Sequence, residues 1–367
     1  MNSSSDPAAA DVVKARKQEH LQYAVSAAEA GRPAGWHDVE LTPRALPEVD
    51  FEEIDLSTEF FDQRLGAPLL IAGMTGGHAD AEELNAILAE SAERHGLAIG
   101  VGSQRAALHD PSVAYTYEIV RELAPTALVI GNLGAAQLIG QGEKEPLTAA
   151  DAREAVRMVG ADALAIHLNF LEEVVQPEGD RRASGCLAAI RALTQELGDE
   201  TPVIAKETGA GVSGEVAALL ARAGVAALDV GGRGGTSFAA IEGMRAAAHG
   251  DKLRAKLGAT FHDWGLPTVV SLTVTRDCGL PVIATGGVRT GLDIAKGLAL
   301  GATLVGVARP LLLAAREDGE AVERMVRQLL TELRVAMYLT GCRSVEELRA
   351  VPRAILGETG MWLQQLM

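Results

Sequence analysis

Residues 281–310 read PVIATGGVRTGLDIAKGLALGATLVGVARP. Two short apolar runs, PVIATGG ending at Gly287 and ATLVGVA ending at Ala308, flank a segment of helical periodicity from Leu292 to Leu300. Near-continuous apolarity suits a parallel strand covered on both faces, so the stretch reads as strand, helix and parallel strand. The turn after the first strand carries Gly286, Gly287 and Arg289 ahead of Thr290, a helix-opening residue. Backbone N–H groups and the helix dipole therefore converge on an anion there. Ala308 and Arg309 in VARP stand on the same edge, where many barrels bind phosphate after their last two strands. A tight turn without ligand is the other reading of these residues.

The same alternation extends back to Pro68. Apolar runs end at Thr75, Ser103, Gly134, Asn169, Thr208, Gly232, Gly287 and Ala308, eight in all. Between them the periodicity predicts helices over 81–95, 112–123, 148–159, 185–197, 214–223 and 292–300, several opened by Ser, Thr or Asp. Repeated strand and helix units with right-handed crossovers make a closed (β/α)8 TIM barrel the economical α/β fold. Periodicity does not itself show closure, so an open doubly wound sheet is the alternative. Residues 1–67 form an N-terminal helix, VVKARKQEHLQYAV, and a Pro-punctuated capping segment; residues 68–367 form the barrel. The connection at about 233–280 exceeds one crossover helix and is a candidate lid. A last helix from Ala321 to Thr340 and the MYLTGCRSVEELR tail pack outside.

Composition narrows the function classes. The chain has 367 residues, 48% of them hydrophobic, ample for a large core. Its net charge of −16 disfavours nucleic acid and anionic membrane as partners, so phosphate binding must be local. Cys186, Cys278 and Cys342 stand far apart with no metal or disulfide spacing and read as buried small side chains in a reducing compartment. MNSSSDPAAADVVKARK lacks an apolar core after its charges, so no secretory leader is read and a cytoplasmic location is expected. The longest apolar stretch, 297–315, is interrupted by Arg309 and Pro310 and reads as helix, turn and buried strand, not a membrane span.

In such a barrel the active site lies at the C-terminal strand ends, and polar residues cluster there: Met74, Thr75, Gly76; Ser103, Gln104, Arg105; Asn132; His167, Asn169; Lys206. Lys206, in a strand apolar on both faces, must point into the mouth and meet an anion, either a ligand or a structural ion-pair partner. Strand alternation puts Ala165, His167 and Asn169 on the barrel interior. The next segment, FLEEVVQPEGD, holds Glu172, Glu173, Glu178 and Asp180 in one loop, which is either a Mg²⁺ site beside substrate phosphates or a solvated acidic loop.

Together, RKQEHL, MTGG, GSQR, NLGAAQ, HLNFLEEVVQPEGD, VIAKE, GGRGGTSFAAIE, DWGLPT and TGGVRTGLDIAKGLALGA resemble, in order, the motifs of the type 2 isopentenyl diphosphate isomerases. The resemblance spans nearly the whole chain. It implies an enzyme that binds FMN, active in reduced form with NADPH as reductant, and Mg²⁺, and that interconverts isopentenyl and dimethylallyl diphosphate without net oxidation. It further implies FMN contacts at Met74, Thr75, Gly76, Ser103, Asn132, Lys206, Thr236, Gly286, Gly287, Arg289, Ala308 and Arg309. Substrate contacts are implied at Arg16, Lys17, His20, Ser103, Gln104, Arg105, His167, Asn169 and Glu172, and Glu173 as the metal ligand. A homotetramer or higher assembly is also implied. The family pattern has Gln-Glu after HLN; here the pair is Glu172 and Glu173, and a carboxyl can titrate where an amide cannot. A protonated Glu172 would be a general acid toward an alkene, in this isomerisation or in a cyclisation or rearrangement of another prenyl substrate. FMN-dependent 2-hydroxy acid oxidases share the barrel, the Lys and the glycine-rich turn. They carry a His-Gly-Gly-Arg-Gln motif after the sixth strand, where this chain has Val230, Gly231, Gly232, Arg233 and Gly234. A flavin-binding scaffold without catalysis is a third reading.

Overall fold

The eight apolar runs pair in chain order and close: Leu69–Ile71, Ala98–Gly100, Leu128–Gly134, Ala163–Leu168, Val203–Glu207, Ala227–Asp229, Val282–Thr285 and Leu304–Val307 form a parallel barrel. Closure is completed by the eighth strand pairing with the first, Val305 opposite Leu69 and Val307 opposite Ile71. The architecture is that of a computed structural model, which describes Tyr23 and residues 31–366. The expected helix VVKARKQEHLQYAV, with Arg16, Lys17 and His20, lies outside the described residues apart from Tyr23.

Every residue of the third strand is buried, as two covered faces require. Leu70, Leu128, Ile130, Ile204 and Ile283 meet inside the barrel, while Leu69, Ile71, Ile99 and Val129 pack outward under the helices. The inner cluster also takes Phe60 and Leu65 from an antiparallel hairpin, Thr58–Phe60 with Gln63–Leu65. Gln63 Nε2 donates to Asp162 Oδ1 at 3.0 Å, just ahead of the fourth strand. The hairpin therefore plugs the N-terminal end of the barrel, opposite the mouth. The residues before it reach the other end: Trp36 Nε1 donates to Gly286 O at 3.0 Å. Val39–Leu41 then pairs with Arg353–Ile355, tying the two ends of the described chain together.

The helices follow the expected order with small shifts at their ends. Thr148 and Thr290 each open a helix through a capping box, with Asp151 and Asp293 as partners. The helix expected from Ser112 starts at Tyr115, because Asp110 caps a tight 3-10 turn, Pro111–Val113, ahead of it. Within 297–315, Leu304–Val307 is followed at once by a helix, Arg309–Glu317, which periodicity does not separate from the strand. The long connection after the sixth strand forms two helices, Phe238–Ala248 and Lys252–Phe261, before the crossover helix Thr268–Thr275. These two touch through glycines: a Cβ on Gly258 would stand 2.5 Å from Gly243 Cα. Cys186 and Cys342 are buried and Cys278 is half-buried; all are free thiols. Among the described residues no helix is long and apolar enough to cross a membrane.

Candidate functional site

A cavity of about 270 Å³ opens at the C-terminal strand ends. The strands deliver to it their last residues, such as Asn132, His167 and Lys206, and the residues of the loops that follow. Met74, Thr75, Gly76, Ser103, Arg105, Asn132, His167, Asn169, Glu172, Glu173, Lys206, Thr236, Gly286, Gly287, Arg289, Ala308 and Arg309 all line it. Gln104 does not: its Nε2 donates to Ala155 O at 2.7 Å and its Oε1 accepts from Asn132 N at 2.9 Å. That residue fastens the wall, and spacing could not show which way its amide turns.

One side of the cavity is shaped for an anion. Gly286 and Gly287 have φ of 120° and 67°, accessible to glycine at no steric cost. A Cβ on Gly287 would lie 2.6 Å from Gly234 O, and one on Gly235 would lie 2.8 Å from Gly287 N. Two backbone segments thus face each other with no room for side chains. The helices Gly291–Ala299 and Arg309–Glu317 both begin here, so two dipole ends converge. A phosphate monoester, such as that of FMN, fits this cradle.

Lys206 forms the structural ion pair that is one of its two sequence readings, at a position on the cavity wall. It lines the cavity, and its Nζ is 2.7 Å from Asp229 Oδ2. Asp229 Oδ1 in turn accepts from the Thr285 hydroxyl and from Gly231 N. Sequence reading missed Asp229; the signal was a lone carboxylate in ALDVGG, but its pairing opposite Lys206 depends on strand register.

The opposite side is polar and acidic. His167 Nδ1 is 2.8 Å from Asn132 Oδ1, and Asn132 Nδ2 donates to Val101 O at 3.0 Å. The amide orientation is thereby settled, so His167 carries its hydrogen on Nδ1. Glu172 and Glu173 lie on a short helix, Phe170–Val175, not in the expected open loop, because Asn169 ends the strand and the chain turns helical at once. Asn169 Nδ2 donates to Glu172 Oε2 at 3.1 Å and Glu173 Oε1 at 3.2 Å. Its Oδ1 is buried without a hydrogen-bond partner, an acceptor left for a ligand.

Glu173 is 5% exposed; Gln137 Nε2 donates to its Oε1 and Asp180 N to its Oε2. Asp180 receives Arg105 and Lys144, each at 2.7 Å. Burial opposes ionisation there, yet the hydrogen bond from Lys144 and the Arg105 charge hold its carboxyl below the ordinary value. Glu178 meets Arg245 of the inserted helix at 3.3 Å, and Arg245 also pairs with buried Glu242 at 2.6 Å. Among the described residues no group of three or more His, Cys, Asp or Glu could hold a metal ion. A cation here would therefore be shared between Glu173, whose Oε1 already accepts from Gln137 and Asn169 and whose Oε2 keeps a lone pair beyond the one taken by Asp180 N–H, and phosphate oxygens of a substrate.

Comparison with known proteins matches this geometry. Residues 201–353 fit the family model described as FMN-dependent dehydrogenase. An isopentenyl-diphosphate delta-isomerase of Methanosarcina barkeri (strain Fusaro / DSM 804) is 48% identical over 352 residues, 95% of this chain and 94% of its own. One from Archaeoglobus fulgidus is 46% identical over 348 residues, 95% of this chain and 97% of its own. Among solved structures, a mandelate oxidase variant superposes with TM-score 0.62 at 19% identity, covering 94% of this chain and 99% of its own. A Pediococcus acidilactici protein assigned as a lactate oxidase gives TM-score 0.64 at 15% identity, covering 95% and 94%. At such identities the likeness is one of fold.

Proposed function

The chain belongs to the isopentenyl-diphosphate delta-isomerase family, and from that premise we propose how its residues divide the work. The reaction interconverts isopentenyl and dimethylallyl diphosphate, on a barrel of the FMN-binding kind. Substrate and product differ by the position of one double bond, so one carbon gains a proton and another loses one. Reduced FMN, when bound, would supply a ring that takes part in these transfers as acid and base.

Gly286, Gly287, Arg289, Ala308 and Arg309 hold the cofactor phosphate, and Met74, Thr75, Gly76, Ser103, Asn132, Lys206 and Thr236 line its ring. Lys206 presents a fixed cation to the ring, where negative charge resides on reduction. Arg105 binds the diphosphate, helped by Ser103, His167 and Asn169 and, from outside the described residues, by Arg16, Lys17 and His20. A guanidinium fork suits this anion. Glu173 would hold Mg²⁺ beside the substrate phosphates, where the ion would offset their charge. Glu172, placed by Asn169 beside Glu173, faces the alkene as general acid. NADPH as reductant, a homo-oligomer of four or more subunits, and a cytoplasmic location complete the proposal.

The observation that carries this reading is a single cavity with a glycine phosphate cradle on one wall and the Glu172–Glu173 pair on another. The test is to purify the protein, record whether it is yellow, reduce it without oxygen, and assay isopentenyl diphosphate with Mg²⁺. Dimethylallyl diphosphate should form only after reduction. A colourless protein that refuses FMN would sink the assignment of the cavity, and flavin bleaching by a 2-hydroxy acid alone would mark an oxidase.

A further inference from the structure

Lys206 donates from Nζ to Asp229 alone among the described residues. The two side chains come from adjacent strands in direct register, Lys206 opposite Asp229, so the pair is built into the barrel rather than met by chance. Asp229 lies below the cavity floor, 1% exposed, and its second oxygen is fixed by the Thr285 hydroxyl and Gly231 N. The side chain of Lys206 is 15% exposed, enough to reach the cavity that it lines.

We propose that Asp229 is a positioning residue that keeps the Lys206 ammonium fixed beside the flavin ring, so that the protein favours reduced over oxidised FMN. The assignment rests on the flavin reading of this cavity. An ammonium that loses its counter-ion is left unpaired and turns to other acceptors. That movement withdraws positive charge from the place where the reduced ring would carry its negative charge. Thr285 acts one step further away: its hydroxyl stops the carboxylate from rotating off the lysine.

The experiment measures anaerobic FMN dissociation constants in both redox states, and the midpoint potential of the holoenzyme, for wild type and variants. Asp229→Asn should lower the preference for reduced FMN about tenfold, equivalent to a midpoint roughly 30 mV lower for a two-electron couple. Thr285→Val, which leaves both charges in place and guards against misfolding of the first variant, should shift the midpoint the same way by less. On a Lys206→Met background, Asp229→Asn should add nothing, because its effect passes through the ammonium. An unchanged or raised potential in Asp229→Asn, or an equal shift without Lys206, would overturn the assignment while leaving the flavin reading intact. Wild-type protein that binds FMN in neither state would overturn both.

Discussion

Arg105 Nη1 stands 2.7 Å from Asp180 Oδ2, joining the helix after the second barrel strand to the loop after the fourth. The Asp180 side chain is 3% exposed and also takes Lys144 and Gln137, while its backbone N–H is held by Glu173. One residue therefore holds Arg105, proposed for the diphosphate, through its carboxylate, and Glu173, proposed for the metal, through its backbone N–H. Asp180→Asn should raise KM for isopentenyl diphosphate about tenfold, a loss of roughly 1.4 kcal/mol, with a smaller change in kcat. Steady-state kinetics with the reduced enzyme check this; an unchanged KM would mean that Arg105 needs no such anchor.

Gly287 sits at φ 67° with Gly234 O and Ala34 Cβ both 2.6 Å from where its Cβ would be. Gly287→Ala should cost about 1–3 kcal/mol of stability and weaken FMN binding at least tenfold. Gly279, at φ 83° with nothing near its Cβ position, is the control. Its alanine variant should lose about 1 kcal/mol and bind FMN normally. Thermal melts and flavin titrations separate the two, and equal FMN affinity in both variants would refute the cradle.

Glu207 Oε2 accepts from Gly209, Ala210 and Gly211 N–H, pinning the turn after the fifth strand. Burial nevertheless pushes its carboxyl up to about 7 from 4.5. Between those values the folded chain holds a proton that the unfolded chain has released, so this group makes stability fall as pH rises through the window. Glu207→Gln removes that contribution. The melting temperature of the variant relative to wild type should therefore climb from pH 4.5 to 7 and level off above; a difference constant with pH would contradict this.

Glu172 shares Asn169 with Glu173, and an amide in its place can still accept that hydrogen bond. Glu172→Gln, which restores the family's residue, should leave KM near its wild-type value, and a kcat about 100-fold lower would mark the carboxyl as the general acid. Turnover held at the wild-type level would show that the carboxyl is a tolerated variation, and a cyclised product lost in the variant would reveal a different prenyl reaction.

Much of this molecule can be read from local pattern. The eight strands, the capping boxes at Thr148 and Thr290, and the anion turn at Gly286 and Gly287 are each specified by residues within a few positions of one another. Periodicity, capping and backbone freedom are short-range properties, so the linear chain displays them. Even the candidate site was largely visible, because a barrel places every strand end on one rim and polar residues at those ends stand out.

The sequence by itself determined the elements, their order and the rim on which the chemistry sits. Only the tertiary structure decided that the sheet closes, that the 58–65 hairpin plugs the far end, that Gln104 turns into the wall, and that Lys206 meets Asp229 and Arg105 meets Asp180. Those outcomes depend on strand register and on side chains 23 and 75 positions apart coming within hydrogen-bonding distance. No local propensity encodes such distances; they follow from packing the whole barrel at once.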